Sequence, residues 1–347
     1  MKIYKGILKM LLTAILICNV CVFSGCEETS KTVSKTLRVG VLVYNENDAF
    51  ITDLMNCMKQ DFKELENDSL RIVMTVRDSE NSQENQNTLV EEMIDAGCDI
   101  LCVGLVDRTA PGKIIKMAKN ANIPIIFYNR ELVYEDLMKW NKMYYVGANA
   151  KQSGELQGDI AYDIITKNKD VDRNHDGKIQ YVMLMGEMGH QDTIIRTDSS
   201  VNRLLDKGVE LEKLTYHFAD WNKERARVKT QSIIEEYGTD VELILANNDE
   251  MALGAMSVYE SVPKEKRPII IGIDGNKEVL EEIKKGNIQG SVYNDKENQA
   301  RQITHLALDI YLGNDLSKYK LKDGKYMYLS YSRIDESNVD YYLNKNP

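Results

Sequence analysis

The sequence predicts an α/β protein of two similar lobes, each built on a parallel sheet wound on both faces. Three observations carry that expectation. Apolar stretches of strand length alternate with helical patterns over most of the chain, the connections are short, and the alternation runs in two successive series. A length of 347 residues, 28% charged and 43% hydrophobic with five prolines, suits one large or two medium α/β domains with sizeable cores.

The first series opens with the apolar strand 37–44, the helical pattern 50–66 and a second strand 70–76. It continues through helix 86–96, strand 100–105, helix 112–120 and strand 123–128. A strand at 143–146 opens the second series, followed by helix 152–166, strand 179–185, helix 193–207, strand 210–217 and helix 223–237. Strand 243–246, helix 251–260, strand 269–273, helix 277–285 and strand 288–293 complete it.

In open sheets of this kind ligands bind beyond the carboxyl ends of the strands. The residues expected there are polar and varied: Asp48 and Phe50, Asp107, Asn129, His190, Asp192, Trp221, Asn248, Asp274 and Asn294. They fall at the same end of both lobes, so the lobes can face each other across a cleft.

A metal motif lies just before the strand 179–185. Asp172, Asn174 and Asp176 place side-chain oxygens at alternate positions, Gly177 allows a sharp turn, Lys178 offers its carbonyl and Gln180 another oxygen. These are the first nine positions of a calcium loop. The bidentate Glu of an EF-hand is replaced by Met183, inside the apolar strand, so this is not an EF-hand and the missing carboxylate must come from elsewhere. The alternative, a solvated Asx-rich turn, explains one or two of these residues but not the alternation.

At the N-terminus Lys2, Lys5 and Lys9 precede an apolar run, 10–23, and then Ser24, Gly25 and Cys26. The run is too short to span a bilayer, and small residues before a Cys read as a lipoprotein cleavage site. Residues 1–25 are then a signal peptide, Cys26 the lipidated first residue, and 26–36 a polar tether. That would hold the protein at the outer face of the cytoplasmic membrane; a plain signal peptide would still mean export, to the periplasm. Without the leader the chain has 41 basic and 54 acidic side chains, a balance that argues against nucleic acid as a partner. Cys57, Cys98 and Cys102 remain, an odd count without framework spacing that reads as buried thiols.

A sugar presents hydroxyls that both donate and accept, together with apolar C–H faces. A site for it needs Asp and Asn for hydroxyls, Arg for a fixed fork of donors, and aromatic rings for the faces. Asp192 and Arg196 stand four apart and can brace each other on a helix, and Phe50 and Trp221 could sandwich a pyranose from opposite lobes. Each also has an ordinary reading: Asp192 or Asn248 as helix N-caps, Phe50 as core, Asp192 with Arg196 as a surface ion pair, His190 as a loop residue. For catalysis the sequence offers four histidines but no G-x-S-x-G elbow, P-loop or dinucleotide fingerprint. A secreted glycosidase using paired carboxylates is the enzyme alternative.

At these residues the chain resembles the galactose/glucose-binding proteins of bacterial sugar uptake and chemotaxis. GVLVYNENDAF, NIPIIFYNRE, YYVGANAKQSGELQGD, VDRNHDGKIQ, GEMGHQDTIIRT, ILANNDEMALGA and GIDG follow that family's pattern in order. The resemblance implies a type I periplasmic-binding-protein fold, two Rossmann-like lobes joined by three crossovers and closing over a monosaccharide. It implies a first lobe of 37–128 with about 296–326, and a second of about 129–293 with about 327–347. It implies sugar contacts from Asp48, Phe50, His190, Asp192, Arg196, Trp221, Asn248, Asp274 and Asn294, and no catalytic residues. The matching calcium ligands are Asp172, Asn174, Asp176, Lys178 and Gln180, with Glu242 as the missing carboxylate. The implied partners are an ABC importer or, alternatively, a membrane sensor or chemoreceptor, and the expected state is a monomer. A sugar-responsive transcription factor shares the fold but would need a DNA-binding head where this chain has a leader. One position departs: the family's Asn-Leu-Val-Asp is Gly104-Leu105-Val106-Asp107 here. Loss of that amide is expected to remove a contact to a hexose hydroxymethyl group, leaving room for a larger substituent or favouring a pentose.

Overall fold

In a computed structural model, residues 35–345 are described. The leader, Cys26 and residues 27–34 of the expected tether lie outside them. Lys35 and Thr36, expected in the tether, instead begin strand β1 (Lys35–Val43). The Lys35 N–H donates to Ser69 O and the Tyr311 hydroxyl to Thr36 O, each at 3.1 Å, so both residues already belong to the folded lobe.

The chain continues with helix α1 (Ala49–Leu65), β2 (Leu70–Asp78), α2 (Gln83–Asp95), β3 (Ile100–Val103), α3 (Gly112–Ala121), β4 (Ile125–Tyr128), a short α4 (Tyr134–Leu137) and β5 (Met143–Ala148). Then come α5 (Ala150–Lys167), β6 (Ile179–Met185), α6 (Gln191–Asp206), β7 (Leu211–Phe218), α7 (Lys223–Tyr237), β8 (Leu243–Ala246), α8 (Asp249–Tyr259), β9 (Ile269–Ile271), α9 (Lys277–Lys285) and β10 (Gly290–Tyr293). The last elements are α10 (Lys296–Leu312), β11 (Tyr326–Leu329), β12 (Ser332–Asp335) and α11 (Val339–Lys345). The central strands β3, β4, β8 and β10 are buried along their whole length, which is why they read as unbroken apolar runs rather than alternating ones.

The first sheet has the order β11-β5-β4-β3-β1-β2 and is parallel throughout. The second, β12-β10-β9-β8-β6-β7, is parallel except for β12, which runs antiparallel to β10. Each sheet carries an apolar core on both faces. The chain crosses between lobes three times, from β5 to α5, from β10 to α10 and from β11 to β12.

This corrects the expected lobe boundaries. The strand that seemed to open the second series is β5, and it closes the first sheet, with Ile125 beside Met143 and Tyr128 beside Val146. Its Met143 and Tyr145 pack in one core with Phe127 and Leu137. β11 pairs in turn with β5, Tyr326 beside Tyr145, so the first lobe reaches residue 148 and regains 326–329. Strand periodicity fixes which side chains face which way, but not which sheet a strand joins.

Candidate functional site

The helices that leave the carboxyl ends of the strands place the site. Asp48 caps α1, its Oδ1 accepting from the Ile51 N–H at 3.0 Å; His190 caps α6 through Nδ1; Asn248 caps α8, accepting from the Met251 N–H at 3.0 Å. Capping therefore accounts for why these side chains stand at the sheet ends, and their remaining polar atoms face the space between the lobes. That space is a cavity lined by Tyr44, Asp48, Phe50, Asn129, His190, Asp192, Arg196, Trp221, Asn248, Asp274 and Asn294. All nine expected contacts are brought together there. Asp107 is not: it is exposed and accepts from the N–H and hydroxyl of Thr109, at 2.8 and 2.7 Å.

Arg196 organises the second lobe's side. Its Nη1 donates to Asn247 O at 2.8 Å and its Nη2 to Asp192 at 3.1 Å and to the Tyr331 hydroxyl at 2.9 Å, while its Nε is buried without a partner. Burial alone would lower its basicity, but Tyr331, Asp192 and Asp274 outweigh it and hold the guanidinium protonated. The Asp192–Arg196 pair is buried rather than on the surface. Burial pushes the Asp192 carboxyl up, against the pull of Arg196. His190, not Asp192, is the helix cap, and burial together with Arg130, Arg196 and Arg108 keeps its imidazole neutral. Because its Nδ1 accepts the Asp192 N–H at 3.1 Å, the ring proton sits on Nε2.

The Trp221 indole meets the His190 ring edge-on, with centroids 5.1 Å apart. It lies so close over Gly186 that a Cβ there would be 2.1 Å from the indole, so only glycine admits the ring. Trp221 Nε1, like Arg196 Nε, is a buried donor without a partner. Asp274 accepts from Asn294 Nδ2 at 3.2 Å, and burial raises its carboxyl well above the usual range. Behind it Asp249 accepts from Ser291 Oγ at 2.6 Å and from the N–H groups of Gly275 and Asn276 at 2.7 Å, fixing the turn that carries Asp274. Three of the lining residues, Asn129 (φ 61°), Trp221 (φ 61°) and Asp274 (φ 132°), have left-handed backbone, a costly conformation that concentrates at functional sites.

On the first lobe, Tyr44 donates to Asp48 and supports the Arg130 guanidinium 3.8 Å above its ring. Arg130 also donates to Val106 O at 2.6 Å and, across the cleft, to Glu187 at 2.7 Å. Sequence reasoning did not single out Tyr44, and it placed Asn129 at the ligand-binding ends of the strands without counting it among the contacts. Asn129 carried a signal, as a polar residue directly after a strand; Tyr44 reads as the apolar end of one.

The structure corrects the expectation at Gly104. It is buried, its N–H donates to Leu42 O at 2.9 Å, and it does not line the cavity. A Cβ at this position would lie 3.0–3.2 Å from the Tyr128 ring, whose hydroxyl donates to the same Leu42 carbonyl at 2.9 Å. The space expected to stand vacant is filled by Tyr128.

The loop before β6 is held by Asx turns. Asp172 accepts from the N–H groups of Asp176 and Gly177, at 3.2 and 3.0 Å, and Asn174 accepts from that of Asp176 at 2.9 Å. Glu242, at the entry to β8, reaches the loop and accepts from the N–H groups of Arg173 at 2.5 Å and Gln180 at 3.1 Å. Asn174 Nδ2 and Gln180 Nε2 converge on one oxygen of Asp176, at 3.2 and 2.9 Å, and Gln180 Oε1 is buried without a partner. Turning the Gln180 amide would aim its unpartnered oxygen at the same point, while Asn174 Oδ1 is already held by the Asp176 N–H. Hard oxygen donors of this number suit calcium. Among the described residues no three His, Cys, Asp or Glu side chains gather around a metal position by themselves, so the amides and the Lys178 carbonyl would have to complete any such shell. Cys98 and Cys102 are buried and Cys57 half-buried, all three as free thiols.

Residues 39–315 match a family model described as a periplasmic binding protein domain. Over 310 residues the chain is 34% identical to the D-galactose/methyl-galactoside binding periplasmic protein MglB of Haemophilus influenzae, covering 88% of this chain and 92% of that one. It is 27% identical to a putative rhizopine-binding protein of Rhizobium meliloti, over 90% of this chain and 94% of that one. Among solved structures, an ABC transporter solute binding protein from Bacillus halodurans with bound myo-inositol matches with a TM-score of 0.75 at 25% identity, covering 90% of this chain and 99% of that one.

Proposed function

This chain belongs to the periplasmic binding protein family, and on that premise we propose that it binds a neutral monosaccharide of galactose or glucose type between its lobes and delivers it to an ABC importer. Members of the family bind solutes and are not enzymes. The observation that carries the reading is the cavity's polar inventory. Arg196 Nε and Trp221 Nε1 are buried donors without partners, Asn129 Oδ1 is a buried acceptor without one, and the aromatic rings of Phe50 and Trp221 come from opposite lobes. Unpaired buried groups are costly, and a ring of hydroxyls, each both donor and acceptor, would satisfy all three.

Charge narrows the class. Asp48, Asp192 and Asp274 face the cavity against one lining cation, Arg196, which already serves Asp192. That balance disfavours sugar phosphates and uronates. The similarity to a galactose/methyl-galactoside binding protein supports a hexose over other polyols. Calorimetric titration with D-galactose, D-glucose, myo-inositol and D-ribose tests the reading: one hexose should bind with micromolar or tighter affinity, and heat from none of them would sink it.

Two further features belong to the same reading. The loop of Asp172, Asn174, Asp176, Lys178 and Gln180, with Glu242, would hold a structural calcium ion, and Cys26 would carry the lipid anchor.

A further inference from the structure

We propose that the Asn129 carboxamide is the first lobe's specificity-determining contact with the ligand, supplying the amide that position 104 does not. The proposal rests on the sugar-binding reading above. Asn129 lines the cavity, and its Oδ1 is buried with no partner in the protein. Of the other first-lobe polar atoms at the cavity, the Tyr44 hydroxyl is committed to Asp48, and the Asp48 oxygens, which already accept from that hydroxyl and from the Ile51 N–H, keep only acceptor lone pairs for a ligand. The chain neighbours of Asn129 are committed elsewhere. Tyr128 fills the space beside Gly104, and Arg130 is turned toward Val106 O, Glu187 and the Tyr44 ring.

The backbone shows that the placement is held against a cost. Asn129 is left-handed at φ 61°, and its carbonyl accepts from the Tyr145 hydroxyl at 2.8 Å and, across the cleft, from Gln191 Nε2 at 3.4 Å. Gln191 is the first residue of α6 in the second lobe, so the residue that carries this amide is held from both lobes. A ligand hydroxyl can then meet the Asn129 amide on one side and the second lobe's unpaired donors, Arg196 Nε and Trp221 Nε1, on the other. Whichever end of the amide faces the ligand, a hydroxyl can answer it.

The test compares the wild-type protein with Asn129→Gly, which keeps the left-handed backbone without strain and removes only the amide. Both are titrated with D-galactose, D-glucose, myo-inositol and D-ribose, and then with the monodeoxy analogues of whichever sugar binds tightest. The expected result is a Kd raised about tenfold for that sugar, with the ligand-free melting temperature unchanged or higher. For one monodeoxy analogue, wild type and variant should bind equally, because the hydroxyl that met the amide is gone. Asn129→Asp, which keeps an acceptor in place, should recover part of the loss if Oδ1 faces the ligand. Binding by Asn129→Gly within twofold of wild type overturns the proposal while leaving the sugar-binding function intact. So does an equal loss across every monodeoxy analogue, the signature of a merely structural role. A wild-type protein that binds none of the four sugars overturns the function and this inference with it.

Discussion

Gly104→Asn puts the family's amide back at a position where this chain has no room for it. The new Cβ would stand 3.0–3.2 Å from three atoms of the Tyr128 side chain, tighter than nearly all real Cβ contacts, before the rest of the side chain is placed. Tyr128 cannot step aside cheaply: it is fully buried and hydrogen-bonded to Leu42 O at 2.9 Å. Overpacking of this kind costs about 1–3 kcal/mol. At roughly 2–4 °C per kcal/mol for a domain of this size, the ligand-free variant should melt several degrees below wild type. Sugar affinity should stay the same or fall. Pairing the change with Tyr128→Leu, which removes the obstructing ring, should make the double variant about 1 kcal/mol more stable than the two single losses added together, as expected for residues in contact. Thermal melts and calorimetric titration of the four proteins decide it. If Gly104→Asn melts with the wild type and binds galactose more tightly, its amide reaches the cleft and the account of Tyr128 is wrong.

Trp221→Ala should cost about 2 kcal/mol or more of sugar binding, as for a buried aromatic anchor; because Trp140 is the other tryptophan, indole emission should also change on titration. Unaltered emission and normal binding in the variant would exclude a ligand stacked on that ring. Glu242→Gln should weaken calcium binding and lower the melting temperature in low calcium while sparing sugar affinity in excess calcium; an unchanged calcium affinity removes Glu242 from the shell. Burial pushes the Asp249 carboxyl up to about 6, above its ordinary value. Its contribution to stability is therefore full below about pH 4 and is lost, by about 3 kcal/mol, as pH rises through 6. The melting temperature of Asp249→Asn should depend less steeply on pH across that window, and a slope equal to wild type would refute the assignment.

Much of this molecule could be read before folding it. β6, α7, β8 and α9 fall at the residues their periodicity predicted, because each packs as a regular apolar run or stripe within one lobe. Eight of the nine expected contacts were legible as polar or aromatic residues at strand-end loops, where ligands sit in this class of sheet, Arg196 came through its spacing from Asp192 and the family resemblance, and the structure gathers all nine at one cavity. What could not be read were the facts decided by distant chain. β5 looks like the first strand of a new series until β4 and β11 flank it. Gly104 looks like a gap until Tyr128, 24 residues on, is seen to fill it. Tyr44 is an unremarked strand residue until Asp48 and Arg130 close around it.

The three crossings between lobes set a timetable for making the protein. The first lobe is completed by chain that comes last: Tyr311 bonds Thr36 across 275 residues, Thr304 reaches Asp61 across 243, and β11 supplies the far edge of the sheet. Contacts so remote in sequence slow folding, because a long loop must close before they reward it. For an exported chain that delay is useful, since a polypeptide whose first sheet cannot finish until nearly all of it exists stays threadable while it is being translocated. It also sets a hazard. A chain ending anywhere between β10 and β11 would leave the edge of β5 unpaired, an open row of backbone donors and acceptors ready to join another chain.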